Sequence, residues 1–297
     1  MEQKNKVVYC LANVNIRLEV SEKFRTTKDF ITFQDDKGDC TYDVQLFPVE
    51  ELSYQRSPVV YEERHLKVLK TSDGKYIRIY NEEKREDNPY AVSCFDKEQQ
   101  QIKISYLQGY EKFFRVSEGY FAHIGWESIL LNAGCLILHA ALIRTLYGAI
   151  LFSGPSGIGK STQAELWCRH IGAELLNGDR PILRKSKGIW SAYGSPYAGS
   201  SRICVNDSCP VRVIVMLKKS DTCRLRRLNQ SEAFKAVFAG LTISTWDSGD
   251  MNKACDLAIQ LTSEIEVFEL SCTPDIRAVK ILQNELMKGG REWTLEI

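Results

Sequence analysis

Gly148-Ala-Ile-Leu-Phe-Ser-Gly-Pro-Ser-Gly-Ile-Gly-Lys-Ser-Thr162 is the stretch on which the reading of this chain turns. Its second half, Gly154 to Thr162, fits G-x-x-x-x-G-K-[ST], the phosphate-cradling P-loop. Glycines let the backbone curl so that several N–H groups converge on a polyphosphate. Lys160 brings a cation to the outer phosphates, and the Ser161 hydroxyl is placed to ligate Mg²⁺. A chance match in a chain of 297 residues is a roughly one-in-a-hundred event. Context lowers those odds. Gly148–Ser153 is a short apolar run that reads as a buried strand. Thr162–His170 has helix formers, with apolar residues at Ala164, Leu166 and Trp167. Strand, glycine loop and helix form the setting the motif needs, with the positive end of the helix dipole facing the phosphates. The expected phosphate contacts are Gly154, Ser156, Gly157, Ile158, Gly159, Lys160, Ser161 and Thr162.

Outward from the loop, Cys135–Ile143 is a strand candidate with His139 in its middle, and only Arg144 to Tyr147 separates it from Gly148. A parallel crossover needs a dozen or more residues, so the two strands are expected to form an antiparallel hairpin. On the other side, Leu175-Leu-Asn-Gly-Asp-Arg-Pro181 follows the P-loop helix by about one turn. Asp179 is the first carboxylate placed to return beside the loop. It can ligate Mg²⁺ or take a proton from an attacking hydroxyl. Arg180 can neutralise transferred charge, or stand as a surface arginine. Gly194–Arg202 is rich in small residues, and Arg202 can hold an anion. Trp167 is expected to pack the helix on the sheet.

These residues resemble the catalytic domain of HPr kinase/phosphorylase and its relatives. The likeness lies in Leu138–Ser161, with its histidine-bearing strand, tight turn and Ser-Gly-x-Gly-Lys-Ser loop, and in Leu175–Asp179. The resemblance implies a fold like that of phosphoenolpyruvate carboxykinase. It places His139 on the family's active-site histidine, Lys160 and Ser161 on its phosphate and Mg²⁺ residues, and Asp179 on its second aspartate, catalytic base or Mg²⁺ partner. Two departures stand out. Gly178 replaces the family's first aspartate, and no E-x-R-G-x-G-like signature follows the core. HPr as acceptor and the phosphorylase reaction therefore fall outside what the resemblance supports. The nearer likeness is to HPr-kinase-like proteins that phosphorylate serine in a peptide or as a free amino acid.

The remainder sets the frame. The expected fold class is α/β, a mixed sheet with a P-loop, preceded by a β-rich region. The expected domains are 1–112 and 113–297. Alternation at Val14–Val20, Tyr42–Phe47 and Tyr76–Tyr80, with a turn at Thr71–Gly74 and a further pair at Tyr90–Phe95 and Gln101–Leu107, predicts a β meander. Its role is open between substrate recruitment, oligomerisation and packing. Ser117 to Ala133 reads as one helix. Ile189–Tyr193 and Val211–Leu217 read as strands, with Arg224–Leu228 as the exposed neighbour of the latter. Ser231–Leu241 and Asp250–Ser263 read as helices and Glu266–Leu270 as a strand. A last helix is expected to be capped by Thr273, with Pro274 at its first helical position, and to run toward Gly289-Gly290.

Lys+Arg 39 against Asp+Glu 38 gives no bulk-charge signal for nucleic acid or membrane. No apolar run is long enough for a bilayer span, and the first residues lack a signal peptide's apolar core. Ten cysteines without a C-x-x-C pair point to reduced thiols in the cytoplasm rather than zinc or disulfides. The expected function is ATP-dependent, Mg²⁺-requiring transfer of a phosphoryl group to a hydroxyl of serine in a peptide, small protein or free amino acid. The alternatives are a nucleotide-driven ATPase or switch and an inactive nucleotide-binding relative. A homo-oligomer is left open.

Overall fold

A computed structural model describes residues 4–21, 27–35, 41–63, 65–82, 88–98 and 100–288. The glycine pair expected to close the last helix, Gly289-Gly290, lies outside them. The chain divides into one unit of residues 1–129 with 245–247 and a second of residues 130–244 with 248–297. The boundary drawn from the sequence at 112/113 lies 17 residues before this division at 129/130, which falls within a short helix.

The first unit is built on eight strands: β1 (Lys4–Leu11), β2 (Val14–Ser21), β3 (Tyr42–Val49), β4 (Val59–Glu63), β5 (Leu66–Lys70), β6 (Tyr76–Asn81), β7 (Pro89–Asp96) and β8 (Gln101–Leu107). Helix α1 (Lys28–Ile31) follows β2, and α2 (Ser117–Ile124) and α3 (Trp126–Asn132) follow the sheet. Period-two burial is plain in β2, where Val14, Ile16, Leu18 and Val20 are buried and Arg17 is exposed. The strand order is β1-β2-β3-β8-β7-β6-β5-β4. Strands β4 to β8 form the expected antiparallel run, but β3 lies parallel to both β2 and β8. The meander expectation is therefore corrected: β3 is inserted between a hairpin and a meander. The single helix expected over 117–133 is also two helices. Gly125 breaks it in the left-handed conformation (φ 73°), where a Cβ would collide with the Phe95 ring.

In β6 both faces are buried. Ile77 and Ile79 pack with Leu69 and Val92. Arg78, on the opposite face, donates to Glu127 Oε1 at 2.6 Å and Ser128 Oγ at 3.0 Å, with its guanidinium 4.4 Å from the Phe95 ring centroid. Trp246, from the short segment that joins this unit, lies 5.3 Å from the same guanidinium.

The second unit holds nine strands and four helices among the described residues. The strands are β9 (Cys135–Ile137), β10 (Ala140–Thr145), β11 (Gly148–Ser153), β12 (Glu174–Asn177), β13 (Ile182–Ser186), β14 (Ile189–Tyr193), β15 (Ser208–Lys219), β16 (Arg224–Arg227) and β17 (Glu266–Cys272). The helices are α4 (Lys160–Ile171), α5 (Gln230–Phe238), α6 (Ser248–Glu264) and α7 (Ile276–Lys288). The order runs β12-β10-β11-β15-β14-β13-β9, with β17 beside β15 and β16 beside β17. β11, β15 and β17 are mutually parallel, while β10 and β11 form the expected antiparallel hairpin. The sheet is mixed and the class is α/β.

Side-chain alternation accounts for the layering. Ala141, Ile143, Ile150, Phe152, Val213 and Val215 face α4 and α7, through Ala164, Trp167, Ala278 and Leu282. Their alternates, Leu142, Leu151 and Ile214, face α5 and α6, through Val237, Ala254 and Leu261. A strand covered on both faces reads as continuously apolar, and every residue of β11 is buried. Trp167 does pack α4 on the sheet, with its ring centroid 6.4 Å from that of Phe152.

Three local expectations are corrected here. The run Cys135–Ile143 is not one strand: β9 pairs with β13, whereas β10 pairs with β11 and β12. His139 lies at the break, not in mid-strand. Arg224–Arg227 pairs with β17 rather than with β15. Helix α7 begins at Ile276, and its cap is Asp275, whose carboxylate accepts from Arg277 N at 2.8 Å. The Thr273 hydroxyl donates to that same carboxylate.

Candidate functional site

The P-loop forms as the sequence predicts. β11 ends at Ser153, Gly154, Gly157 and Gly159 all take positive φ, and α4 starts at Lys160. The amino end of α4 therefore opens into the loop with its first N–H groups free of helical partners. Lys160 is buried, and its Nζ donates to the carbonyls of Gly154 at 3.1 Å and Pro155 at 3.2 Å. Burial lowers its pKa, Asp179 opposes that shift, and Arg180 adds to it.

The break between β9 and β10 is what delivers His139. Its backbone N–H donates to Gly240 O at 2.8 Å, and its carbonyl accepts from Ser153 Oγ at 2.9 Å. Its ring Nε2 lies 3.1 Å from Asp179 Oδ1. The two residues are tied again through the backbone, since Ala140 N donates to Asp179 O at 3.0 Å. Burial pushes the Asp179 carboxyl upward, but the His139 hydrogen bond, Arg180 and Lys160 outweigh it and hold the group below its ordinary value. Asp179 is thus an ionised, half-buried carboxylate facing a lysine and an imidazole.

The sequence missed the residue that shapes the turn carrying this carboxylate. Asn177 is fully buried, and its Oδ1 accepts from Asp179 N at 3.0 Å and Arg180 N at 2.8 Å. This Asx turn bends the chain back at the end of β12. Its Nδ2 donates to Ser195 O at 2.9 Å and Tyr197 O at 3.3 Å, and Ser195 Oγ donates to Arg180 O at 2.6 Å. The loop after β14 is thereby fastened over residues 177–180. The signal was present in Asn-Gly-Asp, where an asparagine stands two residues before the aspartate.

Gly178 and Gly199 mark how closely that loop is seated. A Cβ on Gly178 would collide with Ser201 Oγ and stand 2.6 Å from Ser201 Cβ. A Cβ on Gly199 would stand 2.7 Å from Asp179 Cβ. The loop after β14 therefore leaves no room for a side chain at position 178.

His139, Ser156, Gly157, Gly159, Lys160, Ser161, Thr162, Asp179 and Arg180, with Gly178, surround one cleft of about 580 Å³. Two expected contacts lie elsewhere: Gly154 sits at the root of the loop and Ile158 lines a neighbouring cleft. Arg202 is exposed, in the left-handed conformation after the short turn Gly199–Ser201, and is not part of this cleft. The Arg180 guanidinium lies 5.6 Å from the Tyr197 ring centroid.

Ser161 and Asp179 offer hard oxygen donors in the same cleft. Mg²⁺ is commonly held by one or two protein oxygens together with substrate phosphates, and this pair fits that need. Among the described residues no group of three or more His, Cys, Asp or Glu forms a metal cluster. None of the described cysteines forms a disulfide.

No family model matches the chain. Over 84 residues it is 36% identical to the Holliday junction branch migration complex subunit RuvB of Campylobacter jejuni (strain RM1221), covering 28% of this chain and 25% of that protein. The same subunit from Campylobacter jejuni subsp. doylei is 34% identical over 84 residues, with the same coverage. The chain spans about a quarter of the length of the curated relatives it matches. Among solved structures, the HPr(Ser) kinase/phosphatase of Coxiella burnetii aligns at a TM-score of 0.30 and 13% identity, covering 52% of this chain and 93% of that one. The chain is a P-loop protein of the nucleotide-binding type. Among the described residues no helix is long and apolar enough to cross a membrane.

Proposed function

We propose that this protein is an ATP-dependent kinase that transfers the γ-phosphoryl group to a hydroxyl, that of serine in a peptide, a protein or the free amino acid. The observation that carries the reading is the Asp179 carboxylate, held by His139 at 3.1 Å in the same cleft as Lys160 and Ser161. Phosphoryl transfer asks little covalent chemistry of a protein and much positioning and charge stabilisation. The loop N–H groups and Lys160 supply the cradle. An incoming phosphate would give Lys160 an anionic partner in place of two loop carbonyls. Asp179 accepts the proton of the attacking hydroxyl, and His139 fixes the carboxylate's orientation and keeps it ionised. Arg180 faces the charge that develops on the transferred group. Mg²⁺, when bound by Ser161, would neutralise phosphate charge; the alternative role of Asp179 is to complete that Mg²⁺ site instead of taking the proton. The resemblance of Leu138–Ser161 and Leu175–Asp179 to HPr-kinase-like proteins supports the same assignment.

The experiment is incubation with γ-labelled ATP and Mg²⁺ against free serine, serine peptides and HPr. Label on one hydroxyl acceptor, lost in Asp179→Asn, is the expected result. ATP turnover at the same rate with and without every acceptor would replace this reading with that of an ATPase switch.

A further inference from the structure

The P-loop borders a second cleft, of about 390 Å³, whose lining does not include His139 or Asp179. That size falls within the roughly 300–1,000 Å³ of small-molecule sites. Gly157, Gly159 and Thr162 are common to both clefts. The far wall is formed by the carboxyl ends of β15 and β17 and the residues just beyond them, Lys218 to Asp221 and Cys272 to Pro274. In open α/β sheets, ligands sit outside the carboxyl ends of parallel strands, and β11, β15 and β17 are parallel.

One side chain in this cleft is unsatisfied. Gln163, in the first turn of α4, is 3% exposed. Its Nε2 donates to Cys272 Sγ at 3.4 Å, while its Oε1 is buried without a hydrogen-bond partner. A buried carbonyl oxygen left unpaired carries a desolvation cost, so the position favours a ligand that brings an N–H or O–H donor. Asp221, exposed on the same wall, is a second acceptor. Lys218 and Lys219 are exposed there too, with no ion pair among the described residues. Acceptors and cations together suit a molecule that has hydroxyl or amino donors attached to an anion. An inorganic phosphate chain has the anion and lacks such donors.

We propose that this cleft holds the nucleoside of the phosphoryl donor, with Gln163 Oε1 accepting a hydrogen bond from its base or ribose. The assignment rests on the kinase reading above and extends it: the donor is a nucleotide rather than an inorganic polyphosphate, and the chain runs across the loop from Thr162 and Gln163 toward Lys160 and Asp179. Lys218 and Lys219 add positive potential where the nucleoside joins its phosphates.

The test is calorimetric binding of ATP and of inorganic tripolyphosphate to the whole chain, as wild type, Gln163→Leu and Lys160→Ala. In the wild type ATP is expected to bind roughly tenfold tighter than tripolyphosphate, the size of one good buried hydrogen bond. Gln163→Leu should remove most of that difference and leave tripolyphosphate affinity unchanged, which also reports a folded P-loop. Photolabelling with 8-azido-ATP should modify residues within 217–221 or 272–274. Equal affinity of the two ligands in the wild type, with Lys160→Ala weakening both, would overturn the nucleoside site and leave the P-loop standing. Equal weakening of both ligands by Gln163→Leu would make Gln163 a structural residue and overturn its assignment. Failure of both ligands to bind, with Lys160→Ala without effect, would remove the kinase reading itself and this proposal with it.

Discussion

His139 and Asp179 meet at 3.1 Å although they come from different strand ends, and the backbone ties the two segments again where Ala140 N donates to Asp179 O. The imidazole is one of the groups that hold the Asp179 carboxyl below its ordinary value, against the effect of burial. A carboxylate held ionised is ready to accept a proton across neutral pH. Asp179→Asn keeps the shape and removes the charge. Phosphoryl transfer should fall by about 10²- to 10⁴-fold, the usual worth of a general base. ATP binding, measured by calorimetry, should change little by comparison.

The same pair fixes a pH prediction for His139→Ala. Removing the ring takes away a hydrogen bond that lowers the Asp179 pKa, so that pKa rises. The acid limb of kcat/KM against pH should move to higher pH in the variant. The stability that the pair contributes is present above the ordinary aspartate range and lost as pH falls through the lowered value. An acid limb at the same pH in both proteins would detach His139 from Asp179.

How much of this site could be read from the chain follows from how local each part is. The loop, its hairpin and Asp179 were legible because each is set by a few neighbouring residues: glycines, a short connection, a carboxylate after one helix. The break at His139 was not. Cys135–Ile143 is an unbroken apolar run, and only the change of partners, from β13 to β11 and β12, divides it. Strand β13 was missed because Arg184, Lys185 and Ser186 give it no apolar signature. Asn177 has no burial signature of its own in Leu-Asn-Gly-Asp, and its burial depends on the loop at Ser195, 18 residues further along the chain. The parallel insertion of β3 likewise depends on two strands distant in sequence.

Gly178 offers a direct test of the loop's seating. In Gly178→Ala the new methyl meets Ser201, so the loop must shift. Overpacking of this kind costs about 1–3 kcal/mol, read as a lower urea midpoint. Ser201→Gly in the same chain should recover part of that loss. Independent, additive effects of the two changes would mean that the loop does not rest on Gly178.

In the first unit, Arg78 is a buried cation whose carboxylate partner is Glu127, at 2.6 Å. Breaking such a pair leaves an uncompensated charge and costs about 3–5 kcal/mol. Glu127→Ala should lower stability by that order. Replacing both members by apolar residues, Arg78→Met with Glu127→Leu, should cost much less than the single change. Equal losses in the two variants would show that packing rather than charge is at stake.

His123 sets the acid stability of that unit. Its ring is buried, with Nε2 2.8 Å from the Tyr90 hydroxyl and Nδ1 hydrogen-bonded to Gly119 O. Burial lowers its pKa to about 4, opposed only in part by the Gly119 carbonyl. An unfolded histidine titrates near 6.5. Between about pH 6.5 and 4 the unfolded chain therefore binds the extra proton, and stability falls as pH falls through that window. The full contribution is present above the unfolded value, and the loss levels off below about pH 4. Two to three pKa units correspond to about 3 kcal/mol. Urea midpoints across this range should decline in the wild type. His123→Gln, which has no group titrating there, should lower stability at neutral pH and flatten the decline. An unchanged slope in that variant would assign the acid sensitivity to another group.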